Sequence, residues 1–124
     1  MGLLYDDESH IYTHTGTSFL IYNAGDIPVH PFEQKLVITI SDVQGSSSYL
    51  QLINETNNTV FRVNEGVSGN QEIMIDGANI TSNGLQYLRK TNKQFIELNE
   101  GWNDFRITGA SRATVAFDFP FYYL

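Results

Sequence analysis

The stretch Val115-Ala116-Phe117-Asp118-Phe119-Pro120-Phe121-Tyr122-Tyr123-Leu124 ends the chain and carries a large apolar residue at every second position up to Tyr123. A period of two residues is typical of a β-strand with one buried face. Upstream, shorter alternating runs at 96–98 and 105–107 are followed by turns at 99–101 and 109–111. The residues from Phe95 onward therefore predict three strands separated by two turns.

The rest of the chain also favours strands. Alternation predicts a strand at 35–41, and the runs 49–53 and 59–63 flank five turn-forming residues, which predicts a hairpin. Asp76-Gly77 and Asn83-Gly84 are typical of tight reversals. No apolar period of 3.6 residues is sustained, so we predict an all-β antiparallel β-sandwich with at most one short helix. The predicted core comprises Leu36, Ile38, Ile40, Leu50, Leu52, Ile73, Ile75, Phe105, Ile107, Phe117 and Phe119.

Length and composition exclude several classes of protein. With 124 residues the chain is long enough for one domain, and without cysteine it has no disulfide and no thiol chemistry. Fourteen acidic against seven basic residues give a formal charge of -7, so we expect no nucleic-acid partner and no membrane partner. The acidic start at Asp6-Asp7-Glu8 lacks the basic and apolar regions of a signal peptide, and we expect none.

Turn residues at both ends of the chain point to a family. The residues in question are, in order, Asn23, Gly25 and Pro31, then Leu98, Gly101 and Asn103, then Tyr123 and Leu124. Their order and spacing resemble those in the C-terminal domain of siphophage distal tail proteins, from phages of Gram-positive hosts. The resemblance covers 17–124 and implies a galectin-like jelly roll. Residues 1–16 would be a lead-in, partly disordered, and the ring-forming N-terminal domain of the family is absent from this chain.

The resemblance implies a structural protein of the virion rather than an enzyme. Such a domain belongs to the hub of the tail tip, made in the host cytoplasm and assembled into the phage tail. The full-length protein would form a homohexameric ring, and its C-terminal domains would project outward as docking modules for baseplate or receptor-binding proteins. The expected partners are therefore other phage tail and baseplate proteins.

A carbohydrate-binding module that recognises host cell-wall polymers is the alternative. Trp102 lies beside a turn, where it is either an exposed sugar-stacking or protein-binding residue or a core residue that caps the sandwich. Tyr22, Tyr49 and Tyr87 are further candidates for this binding surface. The His-Asn-Arg constellation with which galectins bind galactosides has no counterpart here, so carbohydrate is not the favoured partner.

Catalytic, metal and cofactor sites are not predicted. No nucleophile elbow, phosphate-binding glycine loop or His-Glu-x-x-His motif occurs, and Asp104 and Asp118 alternate with core residues and should face solvent. His10 and His14, with His30 as a third candidate, have a zinc-like spacing only on a helix. On the strand predicted here, residues four apart lie roughly 13 Å apart, too far to share one ion.

Overall fold

The computed structural model describes residues 4–5 and 10–123. In that part of the chain the only helical segment is a 3₁₀ turn at Leu88–Lys90, and no helix could cross a bilayer. The remaining elements are strands, and the all-β prediction is confirmed. In chain order the strands are β1 (Leu4–Tyr5), β2 (His10–Gly16), β3 (Ser18–Asn23), β4 (Val37–Gln44), β5 (Leu50–Asn54), β6 (Thr59–Val63), β7 (Ile73–Asp76), β8 (Asn79–Ser82), β9 (Leu85–Gln86), β10 (Gly101–Thr108), β11 (Arg112–Phe119) and β12 (Tyr122–Tyr123).

Two antiparallel sheets form a sandwich, as predicted. One has four strands in the order β3-β10-β5-β6, and the other has six in the order β2-β11-β4-β7-β8-β9. A small third sheet pairs β1 with β12. The more specific galectin-like jelly roll stays a prediction.

The core lies between the sheets because burial alternates along their strands. Every second residue of β11, from Ala113 to Phe119, is fully buried. The Phe105 ring of β10 meets the Phe117 ring of β11 with centroids 4.8 Å apart, and this contact joins the two sheets at their centre. All eleven predicted core residues are buried, none more than 4% exposed.

The predicted hairpins are also confirmed. β5 pairs with β6 across the turn at 55–58, with Asn54 opposite Thr59. Asn83 and Gly84 both have positive φ, 50° and 83°, which is the conformation that a type I′ turn requires and that Asn-Gly adopts readily. They reverse the chain between β8 and β9, so that Ser82 lies opposite Leu85.

Two predicted strands differ from the structure. The run at 96–98 is not a strand, and among the described residues its only sheet-like contact is the isolated bridge between Leu98 and Val29. The final strand does not continue to Tyr123, because β11 ends at Phe119 and Pro120 follows. Proline has no N–H to donate to a sheet. The chain pairs again only at β12, with β1 instead of the large sheet.

The predicted lead-in, 1–16, overlaps a strand of the six-stranded sheet. Residues 10–16 form β2 and pair with β11 over its whole length, from Gly16 opposite Ala113 to His10 opposite Phe119. Residues 4–5 of the predicted lead-in form β1, whereas 1–3 and 6–9 lie outside the described residues, as does Leu124 of the family pattern. Strand pairing therefore extends the sandwich to residue 10.

Buried asparagines hold the irregular segment 95–100 against the sandwich. Asn54 and Asn103 are fully buried, and the Nδ2 of Asn54 donates to the Oδ1 of Asn103 at 3.0 Å and to the carbonyl of Glu97 at 2.8 Å. Asn103 accepts from the N–H of Asn99 at 2.8 Å and donates to the Asn99 carbonyl at 2.9 Å. These two side chains supply the hydrogen bonds that a neighbouring strand would otherwise supply, so the segment needs no ladder of its own.

We expect Asn103→Ala to destabilise the domain and to loosen 95–100. The substitution removes the acceptor of one Asn54 amide N–H and the partners of the Asn99 backbone N–H and C=O. Each buried group left unsatisfied costs about 1–3 kcal/mol. Chemical denaturation measures the loss, and amide hydrogen exchange should show it concentrated in 95–100. Asn70→Ala, at an exposed position, is the matched control and should stay within about 0.5 kcal/mol of the wild type. Unchanged exchange in 95–100 would contradict the anchoring role.

Tyr87 is part of the core rather than of the surface. Its side chain is 9% exposed, and its hydroxyl donates to Oε2 of Glu65 at 2.7 Å. The Nε2 of Gln71 donates to the Tyr87 hydroxyl oxygen at 3.3 Å. Burial, reinforced by the bond to the Glu65 carboxylate, raises the pKa of Tyr87 from 10.0 to about 12. The folded chain therefore keeps the Tyr87 proton at pH values where the unfolded chain has lost it.

This difference predicts alkaline destabilisation that depends on Tyr87. Its contribution is fully present below pH 10 and is lost as the pH rises through about 12, because unfolding then releases a proton. Denaturant unfolding of the wild type and of Tyr87→Phe, repeated at pH values from below 10 upward, measures how steeply the free energy of unfolding falls with pH. We expect the variant to lose stability less steeply over this interval. Tyr49→Phe, which removes another phenol, is the control, and equal slopes in wild type and Tyr87→Phe would refute the assignment.

Candidate functional site

Strand alternation turns Trp102 to the outside of the four-stranded sheet. Its neighbour Asn103 points into the buried amide network, so Trp102 must point the other way and is 63% exposed. β3 places Tyr22 directly opposite, 44% exposed, with ring centroids 4.9 Å apart and planes at 56°. Leu20, two residues earlier on the same face, is 51% exposed. We call Leu20, Tyr22 and Trp102 the aromatic patch.

The aromatic patch settles the open question about Trp102 in favour of an exposed residue. The two rings are tilted against each other, so they do not form one flat platform for a sugar ring. Beside the patch, Arg106 makes a bidentate ion pair with Glu55, at 2.8 and 3.1 Å. Asp104, exposed opposite Leu20, also borders the patch. Apolar rings bordered by charged side chains are typical of a protein-binding surface, where Trp and Tyr act as anchors.

The other two candidate residues lie away from the patch. Tyr49 is half-buried, and the guanidinium of Arg62 sits 4.4 Å from the centroid of its ring in a cation–π contact. Tyr49 lies two residues before Gln51, which pairs with Thr108. Thr108 is six residues from Trp102 along β10, so this end of the strand is about 20 Å from Trp102. Tyr87 is in the core. The structure thus brings together Trp102 and Tyr22 and separates both from Tyr49 and Tyr87.

The outer face of the six-stranded sheet has a different character. One row across its strands consists of Thr13, Ala116, Thr39, Met74 and Thr81, opposite one another in register. Small hydroxyl and methyl groups dominate this row, and it presents no aromatic ring. Between the two outer sheet faces, the exposed Trp102 and Tyr22 that a carbohydrate-binding module could use lie on the four-stranded sheet.

The structure also contains a cleft that the sequence pattern did not predict. It has a volume of about 270 Å³ and is lined by His30, Pro31, Phe32, Thr59, Gln94, Phe95 and Glu97. The N–H of Phe32 donates to Nδ1 of His30, which leaves Nε2 of the imidazole facing Oε1 of Glu97 at 3.2 Å. The rings of Phe32 and Phe95 meet edge to face at 4.8 Å. A carboxylate beside aromatic rings suits a cationic group.

No local signal marks the cleft in the sequence. Apart from Thr59 of β6, its lining comes from two walls more than sixty residues apart, 30–32 and 94–97, and both are irregular. They meet because Val29 and Leu98 exchange two backbone hydrogen bonds, of 2.7 and 3.0 Å. Periodicity identifies strands, not the loops that long-range bridges bring together.

The histidines and carboxylates are dispersed. The extended chain predicted from His10 to His14 is confirmed by β2. The His14 ring stacks on Phe19 with ring centroids 5.1 Å apart, whereas His30 lines the cleft. No group of three metal-binding side chains occurs among the residues that the structure describes. Asp104 and Asp118 face outward from different sheets, so they do not flank a common site.

No protein-family model and no curated protein matches the sequence. Among solved structures, a chain from the disulfide-linked pili of Bacillus endospore appendages shares 8% identity over 96% of this chain and 87% of its own, with a TM-score of 0.32, too low to support any argument.

A second solved structure is much more similar. It is SPP1 Dit (gp 19.1), described as a paradigm of the hub adsorption apparatus in phages that infect Gram-positive bacteria. The TM-score is 0.62 at 16% identity, covering 96% of this chain and 49% of that chain. The present chain therefore spans about half the length of SPP1 Dit. What the likeness shows is a shared fold, a β-sandwich like that of a phage distal tail protein.

Proposed function

We propose that this chain is a structural, non-catalytic component of the phage tail tip, located in the virion, where it serves as a docking module for other tail or baseplate proteins. The observation that carries the proposal is the shared fold with SPP1 Dit over nearly the whole chain. The order and spacing of Asn23, Gly25, Leu98, Gly101 and Asn103, which resemble those of siphophage distal tail proteins, also support it.

The aromatic patch is the proposed docking surface. Trp102 is the most exposed aromatic residue of the described chain, and Tyr22 packs against it, so the two side chains lose little freedom when a partner covers them. The Glu55–Arg106 pair borders the patch and supplies a polar rim. A rigid apolar centre with a charged rim is the usual anatomy of a specific protein interface.

We further propose that the full-length protein is a homohexameric ring with this domain at its periphery. Six copies would present six aromatic patches at fixed spacing. Contacts too weak to hold one partner on a single domain then suffice in the assembly, because the effective concentration of each further patch is high. A small patch is consistent with such a multivalent arrangement.

A carbohydrate-binding module is the second candidate, because an exposed Trp is also the residue on which sugars stack. The tilt of 56° between Trp102 and Tyr22 favours a protein anchor over a flat sugar platform. Calorimetric titration of the domain with galactosides, glucosamine polymers and teichoic-acid fragments separates the two. We expect no saturable heat, whereas saturable binding that Tyr22→Ala and Trp102→Ala both remove would replace docking with carbohydrate recognition.

The docking proposal predicts that Trp102→Ala weakens retention of a neighbouring tail protein. Truncating a Trp at the centre of an interface costs about 2 kcal/mol or more, which is roughly thirtyfold in the affinity of one contact. The measurement is the amount of each tail protein that copurifies with tagged particles carrying the variant. Leu85→Ala is the matched control, because Leu85 is 74% exposed on the other sheet.

The location in the virion has its own test. Antibodies raised against residues 10–123 should label one end of the tail when particles from the genome that encodes this chain are examined by electron microscopy. Label along the whole tail, or none on any particle, would refute the tail-tip proposal. Equal losses in Trp102→Ala and Leu85→Ala would refute the patch and leave the location standing.

A further inference from the structure

One edge of the four-stranded sheet is closed by a side chain. Along β6, the N–H of Arg62 donates to Oδ1 of Asn92 at 3.1 Å, and Nδ2 of Asn92 donates to the carbonyl of Val60 at 3.0 Å. The N–H of Asn92 itself donates to the Arg62 carbonyl at 2.9 Å. Asn92 thus occupies the place of a neighbouring strand, and no further strand can add to β6.

The opposite edge, β3, has no such cover. The carbonyl of Thr17 accepts from the N–H of Ile107 at 2.8 Å. This bond identifies the residues of β3 that bond to β10. Because antiparallel strands bond at alternate residues, 19, 21 and 23 face β10 and Ser18, Leu20 and Tyr22 direct their N–H and C=O groups outward. Among the residues that the structure describes, no hydrogen bond reaches these outward groups.

The sequence of β3 does not protect this edge either. Proteins usually blunt an open edge with a charged side chain, a proline or a bulge. Ser18-Phe19-Leu20-Ile21-Tyr22-Asn23 contains none of these, and its register with β10 is unbroken. Leu20 and Tyr22 add exposed apolar surface to the unpaired backbone. An edge of this kind binds another strand.

We propose that β3 pairs antiparallel with β3 of a second copy of this chain, about a two-fold axis at Leu20. The outward groups at 18, 20 and 22 are spaced symmetrically about that residue, so each finds its complement in the second copy. Leu20 then lies opposite Leu20 of the second copy, and Ser18 lies opposite Tyr22. The two four-stranded sheets become one sheet of eight, and the patch rings stay on its outer face.

The charge distribution restricts where a second copy can approach, and this edge meets the restriction. Each chain carries a formal charge of -7, so two copies can approach closely only where the surface is uncharged. β3 carries no charge, and the nearest pair, Glu55 with Arg106, is neutral as a unit. Asp104 remains one strand away, opposite Leu20. We therefore expect salt to strengthen the association by screening this repulsion.

Sedimentation of the chain over a range of protein concentrations tests the proposal. We expect a monomer–dimer equilibrium that Leu20→Glu weakens at least about tenfold, because it places two carboxylates opposite each other at the axis. Leu85→Glu makes the same change at an exposed leucine of the other sheet and should leave the equilibrium unchanged. Thermal unfolding of each variant checks that the monomer still folds.

Amide exchange identifies the surface that is used. In the dimer, the N–H groups of Leu20 and Tyr22 should become protected as the protein concentration rises, since they enter the new ladder. A monomer at every concentration, or a dimer that Leu20→Glu does not weaken, overturns the proposal. So does a dimer in which these two amides exchange as in the monomer. Loss of the dimer only in Ile11→Glu would assign the contact to β2, the exposed edge of the other sheet.

Discussion

The fold depends on the requirement that buried amides find partners. Asn54 and Asn103 lie in the interior with no exposure, where an unpaired polar group is costly, and they satisfy each other and the backbone at Glu97 and Asn99. This bonded pair of side chains, together with the Val29–Leu98 bridge, therefore sets the path of 95–100. It also determines the outward direction of Trp102, which follows from the inward direction of its neighbour.

The same constraint connects the two surface features. The cleft owes its second wall to Glu97, whose carbonyl is held by Asn54 and by Asn57. Trp102 of the aromatic patch lies two residues after the anchored segment and follows Gly101, which adopts φ of 82° to enter β10. Cleft and patch are thus parts of one rigid end of the sandwich. A partner that covered both would meet a surface whose shape is set before binding, which reduces the entropy lost on association.

Sequence periodicity accounts for most of the fold and for little of the site. Residues such as Ile38, Phe105 and Phe117 were predicted inside because alternation in a strand has a single physical cause, one face in the core. The run 96–98 was predicted wrongly as a strand because its alternation is real, while its hydrogen bonds, apart from the Val29–Leu98 bridge, go to side chains. Exposure of Trp102 depends on its neighbour's partners, and the burial of Tyr87 depends on Glu65 and Gln71, which no local pattern reveals.

The amide of Asn92 has a consequence for the stoichiometry of any assembly built through the four-stranded sheet. A sheet open at both edges grows without limit, since each added copy exposes the next edge, and the product is a fibre. Here the β6 side ends in a side chain that already satisfies the backbone. Growth through this sheet then stops after one addition. The segment 90–92, through the Asn92 amide and its own backbone bonds to β6 and Asn64, makes the difference between a closed pair and an open polymer.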